Sequence, residues 1–219
     1  MKKIPLCFLA VVAATMFFSC QQSDGKCHIQ GVVKGEQFEG KRVFLVPFSG
    51  SKTAETVDSV EIKNGRFAFE TDVMQMYKIL IDFRFRVGVQ PLLVVGEPGE
   101  VQVIIDSVSH AVGTPQNDSL EKWKTRTEIH NRELYKMRMY IKDLQGRFDT
   151  VQAKYILQRA DSFHLVYKNY TRQLAKNMKE GVLHDFLKDM FPLTYEKKMP
   201  DGSVKIMNAD THEEVKSEE

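Results

Sequence analysis

The sequence predicts an α+β chain: an N-terminal antiparallel β-sandwich or curled sheet followed by an antiparallel α-helical hairpin. Three observations carry this. Between Cys27 and Asp106, apolar residues alternate with polar ones at period two. Tight-turn signals, Asn64-Gly65 foremost, separate those short runs. After Gly113-Thr114 the apolar spacing changes to three and four, the period of a helix with one buried stripe.

The strands follow in order. Ile29, Val32 and Val33 form a first run closed by Lys34-Gly35. Val43, Leu45 and Pro47 interleave with Phe44, Val46 and Phe48, so the second strand is apolar on both faces. Val57 to Ile62 alternates, with Val60 and Ile62 together, and leads into the Asn64-Gly65 hairpin and then Phe67 and Phe69. Tyr77, Ile79, Ile81, Phe83 and Phe85 share a face opposite Lys78, Asp82 and Arg84. Leu92 to Val95 is a short apolar strand. Glu97-Pro98-Gly99-Glu100 turns the chain into Val101, Val103 and Ile105.

The helices begin where Asn117 or Asp118 can cap a helix start. One seam runs through Leu120, Trp123, Thr127, His130, Leu134, Met137, Ile141, Leu144 and Phe148. A second runs through Ile156, Ala160, Phe163, Tyr167, Tyr170, Leu174 and Met178. A turn near Gly146 to Thr150 folds them back to back, with Leu134 and Met137 expected opposite Phe163 and Tyr167. Thr127 and His130 put polar groups on the stripe and mark where the hairpin meets solvent or another protein. Gly181 ends the second helix, and Val182 to Phe191 reads as a short third one. Residues 193–219 read as a polar, flexible tail with one edge strand at Val204 to Met207.

The N-terminus carries the clearest functional signal. Lys2 and Lys3 precede an apolar run, Ile4 to Phe18, that stops at Ser19-Cys20 and gives way to polar residues. That order is the pattern of a bacterial lipoprotein signal peptide, residues 1–19, with Cys20 as the lipidated mature N-terminus and residues 20–26 as a tether. A diacylglyceryl group on the Cys20 thiol, with a further acyl chain of the palmitate type on the amino end, gives stable membrane anchoring where one chain would not. An ordinary secretory signal with a chance cysteine is the bland alternative. Gln21 after the cysteine favours the outer membrane; the face of that membrane stays open. The resulting division is residues 1–19 signal, 20–26 tether, 27–112 β domain, 113–192 helical hairpin and 193–219 tail.

Composition excludes some partners. The whole chain has 31 Lys and Arg against 29 Asp and Glu, and loss of Lys2 and Lys3 makes the mature chain neutral. A general nucleic-acid binder needs a basic excess, so no nucleic-acid partner is expected. Of the three cysteines, Cys7 leaves with the signal and Cys20 takes lipid, which leaves Cys27 alone. One thiol forms no internal disulfide and no Cys-x-x-Cys redox pair. Cys27 reads as a half-buried strand residue, with a reactive thiol as the sharper alternative.

No catalytic set stands out. None of His28, His110, His130, His164, His184 and His212 lies three or four residues from another, the helical spacing a zinc site uses. His130 on the first seam reads as packed. Asp82, Arg84 and Arg86 suggest an anion site or, more plainly, the solvated face of a sheet. Glu97 and Glu100 flank a turn, which explains them without a paired-carboxylate catalyst. Lys122, Lys124, Arg126, Arg132, Lys136, Arg138 and Lys142 crowd the first helix and read as a solvated face, with membrane-surface contact as the sharper alternative. No catalytic residue, metal or cofactor is expected.

Three stretches carry a family resemblance. They are Gly31 to Phe69, with Val43-Phe44-Leu45 and Asn64-Gly65-Arg66-Phe67 within it; Val94 to Asp106; and Gly113-Thr114-Pro115-Gln116-Asn117-Asp118. In that order they resemble the domain of unknown function that precedes the thioredoxin-like module in TlpA/AhpC-type thiol–disulfide oxidoreductase lipoproteins of Bacteroidota. The resemblance covers roughly Lys26 to Asp118, and the helical hairpin is similar to the connector there. The Cys-x-x-Cys module of those relatives has no counterpart here, so no redox residue carries over. The resemblance implies a β-rich, envelope-anchored accessory domain. Three readings follow: a lipid-anchored, non-catalytic binding module with a partner in the envelope, an accessory to a separate thioredoxin-like oxidoreductase, or a structural relative.

Overall fold

The computed structural model describes residues 25–81, 90–200 and 202–215. The signal segment, Cys20, Phe83, Phe85, Asp82, Arg84 and Arg86 lie outside the described residues. The chain is α+β, with two four-stranded open sheets followed by three helices.

Strands β1 (Cys27–Val33), β4 (Arg66–Thr71), β7 (Gly99–Ile105) and β8 (His110–Val112) make the first sheet, in the order β4-β1-β7-β8. Strands β2 (Arg42–Pro47), β3 (Asp58–Glu61), β5 (Met76–Ile81) and β6 (Leu92–Val95) make the second, in the order β3-β2-β5-β6. Within both sheets the pairings are antiparallel, except that β1 runs parallel to β7, with Cys27 beside Gly99 and Val33 beside Ile105. The faces meet in one core. Ile29, Phe69, Val101 and Val103 come from the first sheet, and Val43, Leu45, Ile79 and Val94 from the second. Alternation is what delivers these side chains to one side. Of the first run, Val32 is on the outer face while Ile29 and Val33 face the core, because the buried residues of β1 are Cys27, Ile29, Gly31 and Val33.

Two local devices set the sheet geometry. The Asn64-Gly65 turn has both residues at positive φ, 53° and 66°, which is why that dipeptide sits there. Its two backbone N–H groups donate to the Glu39 carboxylate at 2.7 and 2.9 Å. The turn joins β3 of one sheet to β4 of the other, so it is a corner of the sandwich as well as a hairpin. Gly31 lies opposite Phe67, and a Cβ on Gly31 would stand 2.0 Å from the Phe67 ring. The glycine is the space the aromatic ring fills.

Helix α1 (Pro115–Gly146) and α2 (Thr150–Met178) form the antiparallel pair, and α3 (Val182–Met190) returns to their base. They cover the outer face of the second sheet. Phe48, Met76, Leu93 and Val95 from that face pack with Leu120, Trp123, Ala175, Leu183 and Leu187. The second sheet is therefore apolar on both sides, as β2 and β6 foretell. Leu183 and Leu187 are fully buried, and each contributes about 2 kcal/mol by leaving water. Phe186 stands edge-on to both Phe48 and Trp123, with ring centroids 5.2 and 5.8 Å apart.

The hairpin turns at residues 147–149, and Asp149 caps α2 by accepting from the Gln152 N–H at 3.0 Å. Its α2 seam keeps Ala160 and Tyr167 of the expected stripe and departs from the rest. The buried stripe of α2 is Ala153, Ala160, Tyr167, Thr171 and Ala175, so small residues admit α1 closely. Tyr167 meets Thr127 and His130, about two turns nearer the base than Met137, which instead lines a groove with Ile156.

The C-terminal stretch also departs from expectation. Residues 193–208 do not form a loose tail with one edge strand. Strands β9 (Thr194–Lys198) and β10 (Val204–Asn208) pair as a hairpin. The reason is an anchor that a polar sequence hides: the Asp210 carboxylate binds both Lys168 and Arg172 of α2.

Candidate functional site

The densest polar constellation lies where β6, α1 and α3 meet. Pro115 at the first helical position leaves the next N–H groups of α1 without partners. Glu97, from the turn after β6, takes them. Its Oε1 accepts from the Gln116 and Asn117 N–H groups at 2.6 and 3.3 Å, and its Oε2 accepts from the Gln116 side chain at 2.9 Å. The negative charge sits at the positive end of the helix dipole. Gln116 Oε1 accepts in turn from the Leu183 N–H at 2.8 Å, at the start of α3.

Asn117 is fully buried and treats Val95 as a strand would. Its Oδ1 accepts from the Val95 N–H at 2.9 Å, and its Nδ2 donates to the Val95 carbonyl at 2.8 Å and to Thr114 Oγ1 at 2.8 Å. Gly113, at φ 117°, donates to Asp118 Oδ1 at 2.9 Å, and a Cβ there would lie 2.5 Å from the Glu100 carbonyl oxygen. The Gly113 to Asp118 motif and Glu97 are thus a latch between sheet and helices. Glu97 and Glu100 are not a paired-carboxylate site: Glu100 accepts from the Gln30 side chain at 3.0 Å, away from the latch.

A second cluster lies midway along the hairpin. Thr127 donates to the Trp123 carbonyl at 2.7 Å and shares a hydrogen bond with the Tyr167 hydroxyl at 2.6 Å. His130, 3% exposed, stacks on Tyr167 and Phe163 with centroids 4.1 and 5.0 Å away. Its Nε2 lies 3.1 Å from Nδ1 of His164, and its own Nδ1 is buried without a protein partner. Burial, above all, holds both imidazoles below the usual histidine range; His164 and Arg126 add to this at His130, and Lys168 at His164. Thr127 and His130 therefore mark neither a solvent boundary nor a docking point: both are engaged across the seam. Spacing along a single helix does not report this pairing, since the two histidines stand on different helices. Reflecting α1 onto α2 about the turn places positions 130 and 164 together.

Cys27 opens β1 and is 2% exposed. Burial raises its thiol pKa above the ordinary value, and the Glu97 and Glu100 charges raise it further, against a backbone hydrogen bond from Glu97. It is more buried than the half-buried residue the sequence suggests. His28 faces Glu70, His110 hydrogen-bonds the Val108 carbonyl, His184 hydrogen-bonds the Ala175 carbonyl and His212 hydrogen-bonds Tyr195, so the remaining histidines are dispersed. Among the described residues, no three His, Cys, Asp or Glu side chains converge as a metal ion would need. A shallow groove of about 500 Å³ runs between the Ser49 to Asp58 loop and Tyr77, with Glu55, Asp58 and Glu70 around it. Among the described residues, no helix is long and apolar enough to cross a membrane.

The architecture is that of an open β-sandwich domain closed on one face by helices. Residues 27–120 match the family described as "Domain of unknown function (DUF4369)". The match runs from the first residue of β1 through Leu120 and so includes Glu97, Gln116 and Asn117 of the latch. No curated protein and no solved structure matches the chain.

Proposed function

We propose that this chain is a lipid-anchored envelope protein, of the type found in Bacteroidota, that works as a non-catalytic binding or accessory module. Its domain of unknown function is the platform, and Cys20 is the lipidated residue that holds it at the outer membrane. The observation that carries the non-catalytic reading is the latch. Among the described residues, the densest set of polar side chains in the matched domain is spent joining β6 to α1 and α3. It leaves no carboxylate or amide there to hold a substrate.

The anchor reading rests on the order of Lys2, Lys3, the apolar run and Ser19-Cys20. Metabolic labelling with a fatty-acid probe, followed by membrane fractionation, tests it. The natural chain is expected to label and to sediment with outer membranes. Cys20→Ala is expected to lose the label. Equal labelling of both chains would refute the assignment of Cys20.

The second reading is an accessory to a separate thioredoxin-like oxidoreductase, supported by the resemblance of the domain to those that precede such modules. The burial and raised pKa of Cys27 count against a direct thiol role in it. A direct thiol role would instead give a mixed disulfide through Cys27, trapped by a resolving-cysteine variant of the oxidoreductase.

A further inference from the structure

The free end of the helical hairpin combines two features that soluble helices normally keep apart. One is exposed aromatic and apolar surface: Tyr135, Tyr140, Phe148, Val151 and Tyr155 all face solvent, Phe148 at 89% and Val151 at 82% exposure. The other is concentrated charge. Between Tyr135 and Arg159 stand Lys136, Arg138, Lys142, Arg147, Lys154 and Arg159 against Asp143 and Asp149, a net charge of +4. The mature chain as a whole is neutral, so the remainder carries the compensating −4. Both acids are occupied, Asp149 in capping α2 and Asp143 in pairing with Arg147 at 2.6 Å. Arg138, Lys142, Lys154 and Arg159 form no ion pair among the described residues.

Exposed aromatics ringed by Lys and Arg suit one environment in particular, the interface of an anionic bilayer. There the rings sit at headgroup depth and the cations meet phosphate. The fold supplies a matching geometry. Gly99 donates to the Lys26 carbonyl at 2.9 Å, and a Cβ on Gly99 would stand 3.2 Å from Thr114 Cγ2, so the chain leaves its N-terminal segment beside the first turn of α1. Helix α1 has 32 residues and so extends about 48 Å from there to the tip. A rod lying along the membrane then touches it at both ends.

We infer that the hairpin tip, centred on Phe148, is a second membrane contact that docks on anionic lipid headgroups and, with the Cys20 anchor of the proposed function, lays the hairpin along the bilayer. The inference rests on that anchor only for the two-point arrangement; the tip's own affinity for anionic lipid stands apart from it.

The test uses the full lipidated chain carrying Phe148→Trp, added to phosphatidylcholine vesicles with or without phosphatidylglycerol. Trp123, the natural tryptophan, is buried and supplies a constant background. The expected result is a blue-shifted emission and quenching by brominated lipid only where phosphatidylglycerol is present. Salt should weaken the effect. The further changes Lys142→Glu, Arg147→Glu and Lys154→Glu, at exposed positions, should cut the quenched fraction at least about tenfold. A chain that floats with phosphatidylglycerol vesicles while its new indole stays unshifted overturns the inference. So does a shift that follows protein density and ignores lipid charge, which assigns the tip to a second copy. A chain that ignores phosphatidylcholine vesicles yet gives the shift with phosphatidylglycerol keeps the tip contact and overturns the anchor. A chain that floats with neither lipid overturns both.

Discussion

His130 Nε2 and His164 Nδ1 face each other at 3.1 Å across the helical hairpin, inside an aromatic stack with Tyr167 and Phe163. A hydrogen bond between two imidazoles needs one of them neutral, since two imidazolium ions offer only donors. Arg126, Arg138 and Lys168 surround the pair with further positive charge, against Asp161 alone.

The pair makes the hairpin acid-sensitive. Both folded-state pKa values lie below 6.5, so between those values and 6.5 the unfolded chain binds more protons than the folded one. Stability is then full above about pH 6.5 and falls as pH drops below it. Melting temperatures measured from pH 7.5 down to 5 are expected to fall in the natural chain. They should fall less steeply in the double variant His130→Phe, His164→Gln. Identical slopes would show that the pair titrates as in the unfolded chain.

Asn117 bonds both backbone groups of Val95 in a fully buried place. Asn117→Ala leaves that N–H and carbonyl without partners, at a cost of about 3 kcal/mol. Asn117→Asp should fail to rescue, because it replaces the donor facing the carbonyl with an oxygen. Urea unfolding checks this. A loss below about 0.5 kcal/mol for Asn117→Ala would mean that water restores the bonds freely.

Leu134 is buried in the seam while Lys136, two residues on, is exposed. Leu134→Ala is expected to cost about 2–4 kcal/mol and Lys136→Ala less than about 0.5 kcal/mol. Ala160→Leu tests the close side of the same contact and should destabilise by about 1–3 kcal/mol through overpacking. Thermal melts in which all three variants behave alike would refute the seam.

Asp210 fastens the C-terminal β-hairpin to α2, and its bonds from Arg172 and Lys168 hold its carboxyl at about 2. The folded state therefore resists protonation more than the unfolded one. The tie is complete above about pH 4 and is lost as pH falls toward 2. At neutral pH, Asp210→Asn should raise amide exchange across Thr194–Lys198 and Val204–Asn208 and leave the sandwich strands protected. Unchanged exchange in both strands would show that β9 and β10 hold without it.

What could be read from the sequence is what a single chemical period reports. β1, β4 and β7 bury one face each, and their alternation shows it. β2 and β6 are apolar on both faces because helices cover the far side of their sheet. Partners were less legible. Nothing in the residues of β1 says that it lies parallel to β7, since the period gives a face and not a neighbour. Large residues dominate the legible seam of α2, which includes Ala160 but not Ala153 and Ala175, and all three alanines set how closely α2 meets α1. Lys197, Lys198 and Lys205 make β9 and β10 look solvated, and the Asp210 tie is invisible until α2 is in place. At the latch, Glu97 and Asn117 could be named as polar residues near a turn. That one caps the helix of the other follows only from the meeting of β6 and α1.

The parallel contact between β1 and β7 bears on when the domain can form. β1 is the first strand made, yet one of its two neighbours does not exist until Gly99 to Ile105 has been supplied. The other, β4, arrives through a corner that belongs equally to the second sheet. A chain threaded through a narrow pore from its N-terminus therefore delivers β1, β2 and β3 before any of them can close a sandwich. Long-range pairing of this kind makes folding slow relative to helical proteins of the same size. Such a chain is committed to the folded state only once β7, β8 and the start of α1 have followed.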